Sequence, residues 1–174
     1  RRLHAGGWGI GLHQAFDTWR DPGAMRDERS RLEDAVGGEV RTCRQHWLRF
    51  SWHQTWAAQE AAGLARDRTL GFNDRPGIRN GAALCHRPWL GGTSGPIAFQ
   101  SVPLVLMDSH LYDYGDMDPR ARAAAIARWI GEVRAVRGQA SVVWHQRVFS
   151  RDYGWEPGYV SLLEAAADVA TAPC

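Results

Sequence analysis

Apolar residues along this chain gather into short runs separated by longer helical stripes. Residues 8–13, Trp8-Gly9-Ile10-Gly11-Leu12-His13, form a glycine-relieved apolar run that stops on one polar side chain. The same pattern returns at 40–45, which stops on His46, and at 140–144, which stops on His145. Runs of this length, bounded by turn residues, read as buried strands. Between the first two, residues 25–36 set Met25, Leu32, Ala35 and Val36 among charges, as an amphipathic helix does. Asp21 is placed to cap that helix, Pro22 suits its first turn, and Gly37-Gly38 closes it. Residues 52–64 read as a helix around Trp56, and residues 68–72 as a short strand. Residues 97–107 read as extended chain, two strands broken at Pro103. Asp118-Pro119 opens a helix to about residue 136, with Ala124, Ile126, Trp129, Ile130 and Val133 along one side, and residues 159–170 form a closing helix. Residues 73–96 are rich in Gly, Pro and Asn and have no period; a loop this long inside a compact domain is usually a functional one.

Strands alternating with helices of this size imply βα units and therefore a parallel sheet or barrel. In such folds the carboxyl ends of the strands face the ligand. His13, His46 and His145 all fall at such ends and are the first candidates for chemistry. About five strands can be counted, fewer than a closed barrel needs. Because the chain opens on Arg1-Arg2-Leu3-His4 without a methionine, the missing strands are expected upstream of Arg1. At 174 residues the length predicts one domain with a sizeable core.

Composition narrows the function classes. A net charge of +2 gives no reason to expect nucleic acid or an anionic membrane as partner. No run reaches the ~20 apolar residues of a membrane helix. All 21 basic residues are arginine, so no Schiff-base or P-loop lysine exists here. Nine tryptophans are many for this length; besides filling cores, indole rings stack on sugar faces. Cys43, Cys85 and Cys174 are odd in number and far apart, which argues against a disulfide scaffold or a cysteine-rich zinc site and fits a reducing, cytoplasmic compartment.

Four segments together resemble a known family: Trp8-Gly-Ile-Gly-Leu-His13, Val40-Arg-Thr-Cys-Arg-Gln-His-Trp-Leu-Arg-Phe50, Asp67-Arg-Thr-Leu-Gly-Phe-Asn-Asp74 and Val143-Trp-His145. In this order they look like the polysaccharide deacetylase-like proteins of the NodB-homology superfamily, in particular a divergent bacterial group, over nearly the whole chain. The resemblance implies an α/β fold, an incomplete NodB-like irregular (β/α)7 barrel lacking its first strand or strands, with residues 1–174 as one domain. It also implies a divalent metal, usually zinc, that polarises an acetyl carbonyl and activates water. Residue by residue, His13 matches a metal histidine, but residues 14–18 hold no second one; Asp17 or His46 then becomes the candidate partner ligand. Arg44 matches an arginine that orients the catalytic base, and His145 a last-strand histidine that serves as general acid. Asp67 stands where the family places the aspartate that orients this histidine. The aspartate pair of the family's first motif is expected upstream.

The expected function is therefore that of a carbohydrate esterase-like hydrolase that cleaves an acetyl amide or ester on a polysaccharide. Two alternatives belong to other classes: a catalytically inactive glycan-binding barrel in surface-polysaccharide metabolism, and a structural domain with a vestigial site. His4 and His53 read as surface residues, and His86 and His110 as loop residues. Asp108-Ser109-His110 resembles a hydrolase triad in composition only, since a triad is defined by geometry. In the long loop, Asn73, Asp74, Arg75, Arg79 and Arg87 would bind sugar hydroxyls or an anionic group, or simply form a solvated connection.

Overall fold

The computed structural model describes residues 2–115 and 117–167. They form a mixed α/β structure with parallel strands, in two compact units whose sequences interleave: 1–70 with 86–102, and 71–85 with 103–174.

The first unit opens with a single exposed turn, α1 (Arg2–Ala5), followed by β1 (Gly11–Gln14), α2 (Pro22–Val36) and β2 (Thr42–Gln45). After a 3-10 turn at His46–Leu48 come α3 (Thr55–Ala61), β3 (Arg66–Asp67) and, from the far side of the long loop, β4 (Gln100–Ser101). The strands pair in chain order, all parallel, with His13 opposite Arg44, Cys43 opposite Asp67 and Asp67 opposite Ser101. Side chains alternate across the sheet. Leu12, Gln14, Cys43, Gln45 and Asp67 are buried. Cys43 and Leu12 share a core with Met25, Val40, Trp56, Leu64, Leu70 and Phe99. His13, Arg44 and Arg66 therefore lie on the opposite face.

The helix boundaries of α2 follow from its caps. The Asp21 carboxylate accepts hydrogen bonds from the Gly23 and Ala24 N–H groups, Pro22 occupies the first position, and Gly37, at φ 76°, ends the helix by donating to the Glu33 carbonyl. Other boundaries differ from those expected. The first strand begins at Gly11, not residue 8, and Trp8 is 68% exposed. The chain turns at Gly7, at φ 82°, and the Trp8 N–H donates back to Leu3, so residues 8–10 never join the ladder. The third strand lies at 66–67 rather than 68–72, and the third helix is shorter than expected at both ends.

In the second unit β5 (Leu104–Met107) leads directly into α4 (Asp108–Tyr112), then α5 (Pro119–Ala135), β6 (Ser141–Val143) and α6 (Glu156–Ala167). The break at Pro103 falls between β4 and β5, as its missing N–H requires. β5 and β6 pair in parallel, Met107 opposite Val143. All four β5 residues are buried, so the strand reads as a continuous apolar run rather than an alternation. Val105, Leu106, Leu111, Ile126, Val133 and Leu162 form this unit's core. Asp118 caps α5 through the Ala121 N–H at 2.8 Å. α6 starts at Glu156, three residues before the expected 159; residues 168–170 of the expected helix, and Cys174, lie outside the described residues. Among the described residues no helix is long and apolar enough to cross a membrane.

Candidate functional site

The best-defined chemistry lies where β5 and β6 end. Asp108, fully buried at the carboxyl end of β5, takes four hydrogen bonds. The His145 ring donates from Nδ1 to Oδ1 at 2.8 Å and to Oδ2 at 3.0 Å, the His145 N–H donates to Oδ2 at 2.7 Å, and the Ser109 N–H to Oδ1 at 2.8 Å. Burial pushes the Asp108 carboxyl up, but the ring, the two backbone N–H groups and the charge of His145 together hold it below the usual carboxylate value. An ionised Asp108 fixes the Nδ1–H tautomer of His145 and leaves Nε2 as the working nitrogen. The His145 side chain is 29% exposed, so the dyad is anchored inside and open at one edge.

The carboxylate that orients His145 is therefore Asp108, not the expected Asp67. Asp67 lies fully buried in the first unit, where it accepts from Trp56 Nε1 at 3.3 Å, from Gln59 Nε2 at 3.2 Å and from the Thr69 hydroxyl. Burial raises its pKa against these three donors. Its position is that of a structural carboxylate within a polar network that also holds Gln14. In the sequence Asp108 stands within a triad-like tripeptide that hides its role; the signal that marks it is that it ends an apolar run, as the three histidines do.

His110, next to the dyad in sequence, is a satisfied interior histidine. Its Nδ1 accepts from the Met107 N–H at 3.1 Å and its Nε2 donates to the Phe72 carbonyl at 3.0 Å. That arrangement requires the neutral ring; burial lowers its pKa despite the Phe72 carbonyl and the charges of Asp108 and Asp74.

In the first unit, β1 and β2 bring His13 and His46 together. His13 Nε2 lies 2.8 Å from His46 Nδ1, with the rings edge to face at 4.9 Å between centroids. One ring donates and the other accepts, so this contact excludes two imidazolium ions. Just past His46, Trp47 (φ 57°) and Leu48 (φ 50°) both hold left-handed backbone conformations, and Trp47 is 63% exposed. Two consecutive bulky residues with positive φ are strained, and strain of this kind clusters at functional sites.

The residues expected to hold a metal do not all converge. Asp17 is 90% exposed and pairs with Arg49 at 2.9 Å, while the Arg49 guanidinium lies over the Phe16 ring at 4.5 Å. Among the described residues no group of three His, Cys, Asp or Glu side chains is placed to hold a metal ion. His13 and His46 supply two nitrogen donors, one fewer than the three protein ligands of a catalytic zinc. Arg44, beside His13 in the register, donates from Nε to the Arg68 carbonyl at 3.2 Å. Burial, and then the charge of Arg68, bring its pKa down to about 10. In the long loop, Arg75 pairs with Asp74 and stacks on Phe72, and Arg87 donates to the Ile97 carbonyl, so these arginines hold their own loop.

Compared with known proteins, the sequence matches no protein-family model and no curated protein at a significant level.

Proposed function

We propose that the chain is a polysaccharide deacetylase-like hydrolase of the NodB-like barrel class, which removes an acetyl group from a glycan with His145 as its general acid and base. The observation that carries this reading is the Asp108–His145 dyad at the carboxyl ends of two adjacent parallel strands. With Nδ1–H committed to Asp108, a neutral His145 can take a proton from water at Nε2. Once protonated there, it returns the proton to the departing amine or alkoxide of the sugar, while the buried carboxylate stabilises the imidazolium. Where this class uses a divalent metal, the first unit by itself offers two donors, His13 and His46, and with a third ligand lacking among the described residues no step is assigned to a metal.

Turnover of N- and O-acetylated oligosaccharides tests the reading. His145→Ala is expected to lower kcat by on the order of 100-fold or more. Asp108→Asn should also lower it, with the pH profile displaced because the tautomer is no longer fixed. Acetate release by the parent protein that His145→Ala leaves unchanged defeats the proposal.

A second reading, a glycan-binding protein without turnover, draws on the exposed Trp8, Trp47 and Trp89 and on the two-donor histidine pair. It expects glycan binding that Trp47→Ala weakens and His145→Ala does not.

A further inference from the structure

The sheet of the first unit has two unlike faces. One is packed on α2 and α3. The other carries Arg44, Arg66 and Arg68 close together, from two adjacent strands and the residue just past one of them. Thr42 of β2 lies opposite Arg66, and Cys43 opposite Asp67; one more step of that register sets Arg68 beside Arg44. Neighbouring strands are ~4.8 Å apart; Arg44 and Arg68 are close enough for their charges to oppose each other, and Arg66 stands beside them on the same face with its guanidinium on Gln100.

Their partners are all neutral. Arg66 donates from Nε and Nη2 to the Gln100 side-chain oxygen, at 3.1 and 2.8 Å. Arg44 donates to the Arg68 backbone carbonyl at 3.2 Å. Arg68 Nε is buried and has no hydrogen-bond partner. Among the described residues, ion pairs go to Arg29, Arg41, Arg49 and Arg75 and to His145, and none to these three. The one carboxylate nearby in sequence, Asp67, lies on the other face of β3, accepts from Trp56, Gln59 and Thr69, and acts on Arg44 only through space, without an ion pair. Part-buried like charges without a counterion are unfavourable unless something else neutralises them, and a buried N–H without an acceptor adds to the cost. The planar fork of a guanidinium matches the paired oxygens of a carboxylate or phosphate.

We propose that Arg44, Arg66 and Arg68 form a binding site for an oxyanion, the carboxylate or phosphate of a ligand. That the oxyanion belongs to a sugar rests on the glycan reading above; the site itself stands on the first unit alone. It would select acidic over neutral glycans.

The test is a thermal-unfolding titration of the purified protein with inorganic phosphate and, separately, with glucuronate, against chloride at matched ionic strength. A saturable rise of the unfolding midpoint is expected with at least one of them, and which one responds identifies the group. Arg68→Met should abolish that rise. In chloride its midpoint should equal or exceed the parent's, because the substitution removes an unpartnered buried N–H and one of two like charges. A purely structural Arg68 predicts instead a lower midpoint in chloride. If Arg68→Met does not fold, Arg66→Gln is the second probe, with a weakened response expected. No rise in the parent, or a rise that chloride reproduces or that both variants retain, overturns the proposal. His145→Ala should keep the anion response in full, so loss of hydrolysis and loss of anion binding can be read separately.

Discussion

At the level of single residues, two buried aspartates show how environment decides role. Asp108 is held ionised by three donors, one of them the ring of a partly exposed histidine that reaches both carboxylate oxygens. Asp67 is surrounded by donors that point nowhere but inward. Asp67→Ala is expected to cost stability, by about 1–3 kcal/mol for the donors it strands, because Trp56 Nε1 and the Thr69 hydroxyl lose their acceptor and Gln59 Nε2 keeps only Gln14. Denaturant unfolding measures this, and residual activity scaled to folded protein should stay near that of the parent. A selective loss of activity at unchanged stability would return Asp67 to the catalytic set. The sequence made the strand-end histidines visible because an apolar run stopping on one polar residue is a local pattern. It could not reveal which carboxylate meets His145, since Asp108 and His145 lie 37 positions apart and meet only through parallel pairing of β5 with β6.

At the level of elements, the helices were more legible than the strands. Asp21 with Pro22 and Gly37, and Asp118 with Pro119, mark ends by chemistry that acts within one turn, and the structure places α2 and α5 accordingly. The short strands depend on partners elsewhere, so local apolarity alone starts the first strand too early, at residue 8, and sets the third at 68–72 instead of 66–67. Two glycines provide opposite expectations. A Cβ at Gly138 would sit 2.1 Å from the Ala83 carbonyl oxygen, which is main chain and cannot give way. Gly138→Ala should therefore destabilise by roughly 1–3 kcal/mol. A Cβ at Gly131, inside α5, meets nothing within 4 Å, and Gly131→Ala should stabilise by about 0.5–1 kcal/mol on helix propensity. Denaturant midpoints of the two variants check both signs at once. Asp21→Ala should cost about 1 kcal/mol through its lost cap.

At the level of the whole molecule, the buried titratable groups set the acid limit of stability. His110 is depressed in the fold, so the unfolded chain binds its proton first. Its contribution is full above the unfolded value near 6.5 and is lost as pH falls from there toward the lower folded value. Asp108, also depressed, contributes fully above about pH 4 and is lost as pH falls through its folded value. Asp67 has the reverse sign: its contribution is full below the unfolded value and is lost as pH rises through the raised folded one. The His110 part of the unfolding free energy should therefore decline below about 6.5, and His110→Gln should remove that part of the pH dependence while leaving the opposite one of Asp67. A decline of the same slope in His110→Gln would assign it to another group.

The interleaving of the two units also bears on how the chain is made. β3 pairs with β4 across more than thirty intervening residues, and 71–85, which belong to the other unit, emerge from the ribosome between them. While those residues are being synthesised, the sheet of the first unit ends on a bare strand with its N–H and C=O groups unpaired. Such an edge is where nascent chains find each other, and closing it late slows folding. The short length of β3, only two residues, then has a use beyond the finished fold: it keeps that temporary edge too small to template an incoming strand.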